Sequence, residues 1–134
     1  MSKPLSNRAL IVDDNEFDRF IHQKLLHHHK IAQEVFTCRG GREALEWLQE
    51  KDNPVPDLIL LDIMMPEMDG FEFLTHYDGI LSRLSLEPAL FLVSSSEDEQ
   101  DLKRARKNPH VLRMLHKPLS PDTLIKHLKT HQGA

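Results

Sequence analysis

Four short apolar runs, each stopping at a residue with chemistry to offer, constrain this chain more than any other feature. Ala9-Leu10-Ile11-Val12 meets Asp13-Asp14, and Asp57-Leu58-Ile59-Leu60-Leu61 meets Asp62. Ala89-Leu90-Phe91-Leu92-Val93 meets Ser94-Ser95-Ser96, and Val111-Leu112-Arg113-Met114-Leu115-His116 meets Lys117-Pro118. Runs of this length, with helical stretches between them, read as buried strands of a parallel sheet. Parallel strands point the same way, so the residues just past their ends collect at one edge. Asp13, Asp14, Asp62, Ser94 and Lys117 are therefore expected to share one small pocket.

The segments between the runs complete an alternating pattern. Strand one is expected over about Arg8 to Val12, after a polar tail at 1–7. Asn15 to about His29 reads as a helix with Phe17, Phe20, Ile21, Leu25 and, at its margin, Leu26 along one side, capped by Asn15 and with Asp18 in its first turn. Glu34 to Cys38 reads as a second strand, and Glu43 to Gln49 as a helix with the stripe Ala44, Leu45, Leu48. Asn53-Pro54-Val55-Pro56 is a stiff loop before strand three. Further helices are expected over Phe71 to Leu84 and Glu97 to Lys107, the second with Ser96 as a candidate cap. The last helix opens at Ser120-Pro121-Asp122, with Ser120 as cap and proline where a helix tolerates it best. A domain at 8–130 with a short tail at 131–134 follows, and at 134 residues there is room for one domain only. The fold class is α/β, a doubly wound five-stranded parallel sheet.

Asp13-Asp14, the stretch from Pro56 to Gly70 (PDLILLDIMMPEMDG), Ser94 and Lys117-Pro118 together resemble the response-regulator receiver domain of two-component signalling. The likeness runs from about Arg8 to Leu128. It implies a flavodoxin-like (βα)5 fold with strand order 2-1-3-4-5. It also implies that Asp62 is a phosphoacceptor and that Mg²⁺ is the cofactor. Adjacent carboxylates repel each other, and Mg²⁺ relieves that cost through oxygen ligands while keeping several waters. Asp14 and Asp62 are the expected direct ligands, Asp13 acts through water, and the backbone carbonyl of Met64 is the ligand the family supplies. A carboxylate can attack phosphorus to give an aspartyl phosphate, with Lys117 as a mobile counter-charge.

By the same resemblance Ser94 hydrogen-bonds the phosphoryl group, with Ser95 as the fallback in the run of three serines. Pro118 aims the lysine inward through a cis bond. Family members usually carry an aromatic residue three positions before the lysine, and here that position is Met114. Methionine lacks the ring that reports phosphorylation, so weak coupling to the partner-facing surface is expected. The implied function is a single-domain regulator that takes a phosphoryl group from a phosphohistidine and signals or relays by protein contact. It is self-phosphorylating, with autodephosphorylation, and has no separate substrate to make it an enzyme. Its partners are a histidine kinase or histidine phosphotransfer protein and an unknown downstream protein. The rival readings are a receiver-like interaction module without phosphorylation and a metal-dependent phosphohydrolase, for which a cap element is lacking.

Composition excludes other classes. A formal charge of −4 offers no general attraction to nucleic acid or anionic membrane. No apolar run is long enough to span a bilayer, and the polar N-terminus carries no signal core. The lone Cys38 rules out an internal disulfide and fits a cytoplasmic location. His27-His28-His29 cannot close on one metal ion, because consecutive helical residues diverge. Lys103, Arg104, Arg106 and Lys107 suit a helix C-terminus. Trp47 reads as packing and Gly70 as a turn residue.

Overall fold

A computed structural model describes residues 3–133. Five strands, β1 (Ser6–Val12), β2 (Ala32–Cys38), β3 (Leu58–Asp62), β4 (Ala89–Ser94) and β5 (Val111–His116), alternate with five helices. These are α1 (Glu16–His28), α2 (Gly41–Gln49), α3 (Gly70–Ile80), α4 (Glu99–Lys107) and α5 (Pro121–Gly133). The sheet is parallel throughout, in the order β2-β1-β3-β4-β5. Among the described residues no helix is long and apolar enough to cross a membrane.

The central strands are buried from Ala9 to Val12 in β1 and along the whole of β3 and β4, and apolar there up to Asp62 and Ser94 at the strand ends, because both faces of the sheet are covered. Alternation divides each strand between two cores. Leu10, Val12, Ile59, Leu61, Leu90 and Leu92 face α2 and α3, where Ala44, Leu48, Phe73, Leu74 and Tyr77 complete a cluster. Ala9, Ile11, Leu58, Leu60, Phe91 and Val93 face α1 and α5, meeting Leu26, Leu124 and Leu128. Trp47 packs its ring 5.2 Å from that of Phe36.

Several element limits differ from expectation, three of them for a local reason. β1 begins at Ser6, because the Asp57 carboxylate accepts from the Ser6 hydroxyl and from the Asn7 N–H at 2.9 Å, holding the strand in register from its start. α4 starts at Glu99, because Asp98 rather than Ser96 is its cap, accepting from Gln100 N–H at 2.9 Å. α3 stops at Ile80 and tightens into a 3₁₀ turn at Leu81–Arg83, where Gly79 has weakened its last turn. β2 begins at Ala32, and α5 continues to Gly133. Met1, Ser2 and Ala134 lie outside the described residues.

Of the expected apolar stripe of α1, Leu26 is buried and Leu25 half-buried, but the rest is a correction. Phe17, Phe20 and Ile21 are 70%, 54% and 41% exposed. The line that faces the sheet is His22 and Leu26, four residues apart, with Leu25 half-buried beside it. The apolar side of α1 is thus turned largely to solvent.

Candidate functional site at the carboxyl edge of the sheet

The register brings the sequence-selected residues together. Val12 pairs with Leu61, so Asp13 and Asp62 leave their strands level with each other. Asp62 pairs with Val93, and Ser94 with His116, so Ser94 and Lys117 follow one step later. The Lys117 N–H donates to the Ser94 carbonyl at 2.8 Å and carries the ladder to that point. The Lys117–Pro118 peptide is cis.

Carboxylate oxygens of Asp13, Asp14 and Asp62 all lie within 4.8 Å of one another. Asp13 and Asp62 are buried and Asp14 is exposed. The Lys117 ammonium lies 3.1 Å from Asp13 Oδ2 and 3.3 Å from Asp62 Oδ1. Burial and the neighbouring Asp13 push the Asp62 carboxyl up to about 6, against the pull of Lys117. Burial alone would lower the Lys117 ammonium, but Asp18, Asp62 and Asp13 outweigh it and leave the group above its ordinary range. The cluster holds more negative charge than one lysine balances.

Local structure fixes these groups. Asp13 Oδ1 accepts from the Asn15 N–H at 2.9 Å, and the Arg19 guanidinium donates to the Asp13 carbonyl at 2.9 Å. Asp69 caps α3 in a reciprocal pair with Glu72, at 2.8 and 3.3 Å. Gly70, the first residue of α3, donates to the Ile63 carbonyl at 2.9 Å, so the helix start sits directly against the end of β3. In the loop between them Met64 is exposed, and Glu67 turns the chain with φ 66°.

Ser94 is buried and its Oγ accepts from the Ser96 N–H at 2.9 Å, whereas Ser95 is exposed. Met114 is half-buried opposite Leu92. With Leu102 and Leu115 it lines a cavity of about 260 Å³ beside Ser94. Cys38 is a buried free thiol, pushed up to about 12 by burial.

One participant went unnoticed in the sequence. Asp18 Oδ2 accepts from Lys117 Nζ at 2.8 Å, the shortest of the lysine's three carboxylate contacts. In the sequence it reads only as an acid in the first turn of α1. The available signal was its spacing, one helical turn past Asp14 on a helix that starts at the site's edge.

A doubly wound parallel sheet with three carboxylates and a lysine at its carboxyl edge defines a flavodoxin-like α/β domain with a charged site. Residues 9–129 match the model of the response regulator receiver domain, and the chain belongs to that family. A two-component response regulator of Arabidopsis thaliana, ARR11, is 41% identical over 73 residues, 54% of this chain. The chain spans 13% of that relative's length. The receiver protein of Dyadobacter fermentans is 35% identical with a TM-score of 0.77, covering 92% of this chain and 95% of its own. A two-component response regulator from Cytophaga hutchinsonii superposes with a TM-score of 0.88 over 99% and 100% of the two chains. At 22% identity that likeness concerns the fold alone.

Proposed function

We propose that this domain accepts a phosphoryl group on Asp62 in a Mg²⁺-dependent reaction and passes the signal, or the group itself, on by protein contact. The observation that carries the reading is a buried Asp62 held between Asp13 and the Lys117 ammonium at the end of β3. The donor chemistry suits Mg²⁺, because hard carboxylate oxygens lie close together with an unmet need for positive charge. Asp14 and Asp62 would hold the ion directly, Asp13 through water, and the Met64 carbonyl would add a ligand. When bound, the ion neutralises phosphoryl charge.

The protein's own residues do the rest. An Asp62 carboxylate oxygen forms a bond to phosphorus while the donor's P–N bond breaks, and the electron pair leaves with the donor imidazole, which takes up a proton. Lys117 meets the charge on the phosphoryl oxygens. Ser94 Oγ accepts from the Ser96 N–H, so its own O–H can donate to the phosphoryl group. Hydrolysis of the aspartyl phosphate by water at the same site returns the domain to its resting form, and no separate substrate is involved.

The donor partner in this reading is a histidine kinase or histidine phosphotransfer protein. Exposed Phe17, Phe20 and Ile21, on the helix that follows the acid pair, offer it apolar ground. The downstream partner is a protein rather than nucleic acid, in keeping with a net charge of −4. A cytoplasmic setting belongs to the same reading and is supported by the free buried Cys38. Met114, a flexible side chain without a ring in the pocket beside Ser94, couples Ser94 to the face of α4, β5 and α5 only weakly in this reading.

Incubation with acetyl phosphate tests the reaction. Phosphate-affinity electrophoresis should show a slower band that needs Mg²⁺ and disappears in EDTA. An identical band without divalent metal would defeat the metal half of the proposal. Asp14→Asn tests the ligand assignment separately. Asp14 is exposed and its loss relieves repulsion, so the variant should keep its melting temperature in EDTA yet lose most of the rise that millimolar Mg²⁺ gives the parent. Marked destabilisation without metal would make Asp14 a structural residue instead.

A further inference from the structure

We propose that Asp18 is a positioning residue that withholds Lys117 from the phosphoryl group and so lowers the phosphorylated fraction of the protein. This rests on the reading of Asp62 as phosphoacceptor. An ammonium has three N–H donors to distribute. Lys117 donates to Asp18 Oδ2 at 2.8 Å and to Asp13 Oδ2 at 3.1 Å, while Asp62 Oδ1 stands off at 3.3 Å. The nearest claim on the lysine therefore comes from a carboxylate on α1, not from the strand end where phosphorus would arrive.

The Asp18 contact is well supported. The Asp18 N–H is fixed by the Asn15 cap at 2.9 Å, which sets the backbone from which the carboxylate reaches in. The side chains of Lys117 and Asp18 are only 14% and 31% exposed, so water screens the pair incompletely. One turn further on along α1 lies buried His22, which burial together with Lys117 keeps below its ordinary range.

Once a phosphoryl group sits on Asp62, its oxygens lie beyond the carboxylate, and the ammonium must leave or share Asp18 to meet them. The Lys117–Asp18 contact is thus stronger in the resting state than in the phosphorylated one. Only such a difference between states moves an equilibrium. The Asp18 charge also repels an incoming phosphate donor, and both effects have the same sign.

Asp18→Asn keeps the side chain's size and the backbone cap while removing the charge. Asp18→Ser removes the reach as well, in case asparagine still accepts from the lysine. Glu16→Gln removes a charge from the same turn, and Glu16 has no ion pair with Lys117 among the described residues. At sub-saturating acetyl phosphate with Mg²⁺, Asp18→Asn and Asp18→Ser should raise the ratio of phosphorylated to free protein about threefold or more. Asp18→Glu should return it toward the parent value, and Glu16→Gln should leave it near the parent. In the unphosphorylated protein, ¹⁵N NMR should show the Lys117 ammonium protons exchanging faster with solvent in Asp18→Asn but not in Glu16→Gln. An acid that acted only on the α1 dipole, without influence on the lysine, would move neither reading. A parent that takes up phosphate, with Asp18 variants that take up no more, overturns this inference alone. A parent that takes up none overturns the phosphoacceptor reading and this one with it.

Discussion

Replacing Asp62 with asparagine is expected to stabilise the metal-free protein at pH 7.5, by on the order of 1–3 kcal/mol. The carboxyl lies at about 6 in the folded protein against 3.8 in a free chain, chiefly through burial and the charge of Asp13. A raised acid is penalised in its ionised form, so Asp62 costs stability above about pH 6. As pH falls from there toward 3.8 the folded state takes up its proton before the unfolded state does, and the cost is relieved. Below both values it is gone. The advantage of Asp62→Asn should therefore be full at pH 7.5, where a rise of roughly 5–10 °C in melting temperature is expected. It should shrink steadily between pH 6 and 4. Thermal melts of both proteins in EDTA across that range decide the matter. A variant less stable than its parent at pH 7.5 would mean that the Lys117 contact outweighs burial and repulsion.

Gly70→Ala is expected to do the opposite, costing about 1–3 kcal/mol although alanine is the better helix former. A Cβ at this position would lie 2.8 Å from the Asp62 carbonyl oxygen and 3.0 Å from the Ile63 Cα. Both are backbone atoms at the end of a central strand and cannot step aside. The helix cannot back away either without breaking the Gly70–Ile63 hydrogen bond and disturbing the Asp69 cap. Gly41→Ala is the internal comparison. Its Cβ would meet Met68 Sδ at 2.7 Å, the far part of a flexible side chain that can rotate away. Urea titrations should therefore show a clear loss for Gly70→Ala and a small change for Gly41→Ala. Equal effects would mean that the approach of α3 to β3 is softer than described. The Gly70 variant should also weaken the Mg²⁺-induced rise in melting temperature, because it displaces the Asp62 backbone.

The sequence made the sheet and the convergence of its edge residues legible because the signal is local and redundant. Four apolar runs ending in Asp13-Asp14, Asp62, Ser94 and Lys117 leave little freedom once the strands are parallel. The strand order came from the family likeness, since apolar patterning says nothing of which strands are neighbours. The orientation of α1 could not be read in the same way. Its aromatic residues outweigh His22 and Leu26 in any count of hydrophobicity, yet the latter pair is the one buried. Which side of a helix turns inward is decided by packing on the sheet, and at α1 it runs against composition. Asp18 escaped for a related reason. An acidic residue in a first helical turn already has an ordinary explanation in the helix dipole, and only coordinates reveal a lysine from the far end of the chain beside it.

The most direct measurement is the mass of the intact protein after incubation with acetyl phosphate and Mg²⁺, followed by peptide mapping, for the parent and Asp62→Asn. The expected result is gain of a single phosphoryl group by the parent, located on the peptide that carries Asp62, and no gain by the variant. An unchanged gain in Asp62→Asn, or a phosphoryl group mapped elsewhere in the parent, would contradict the assignment of Asp62 as the acceptor.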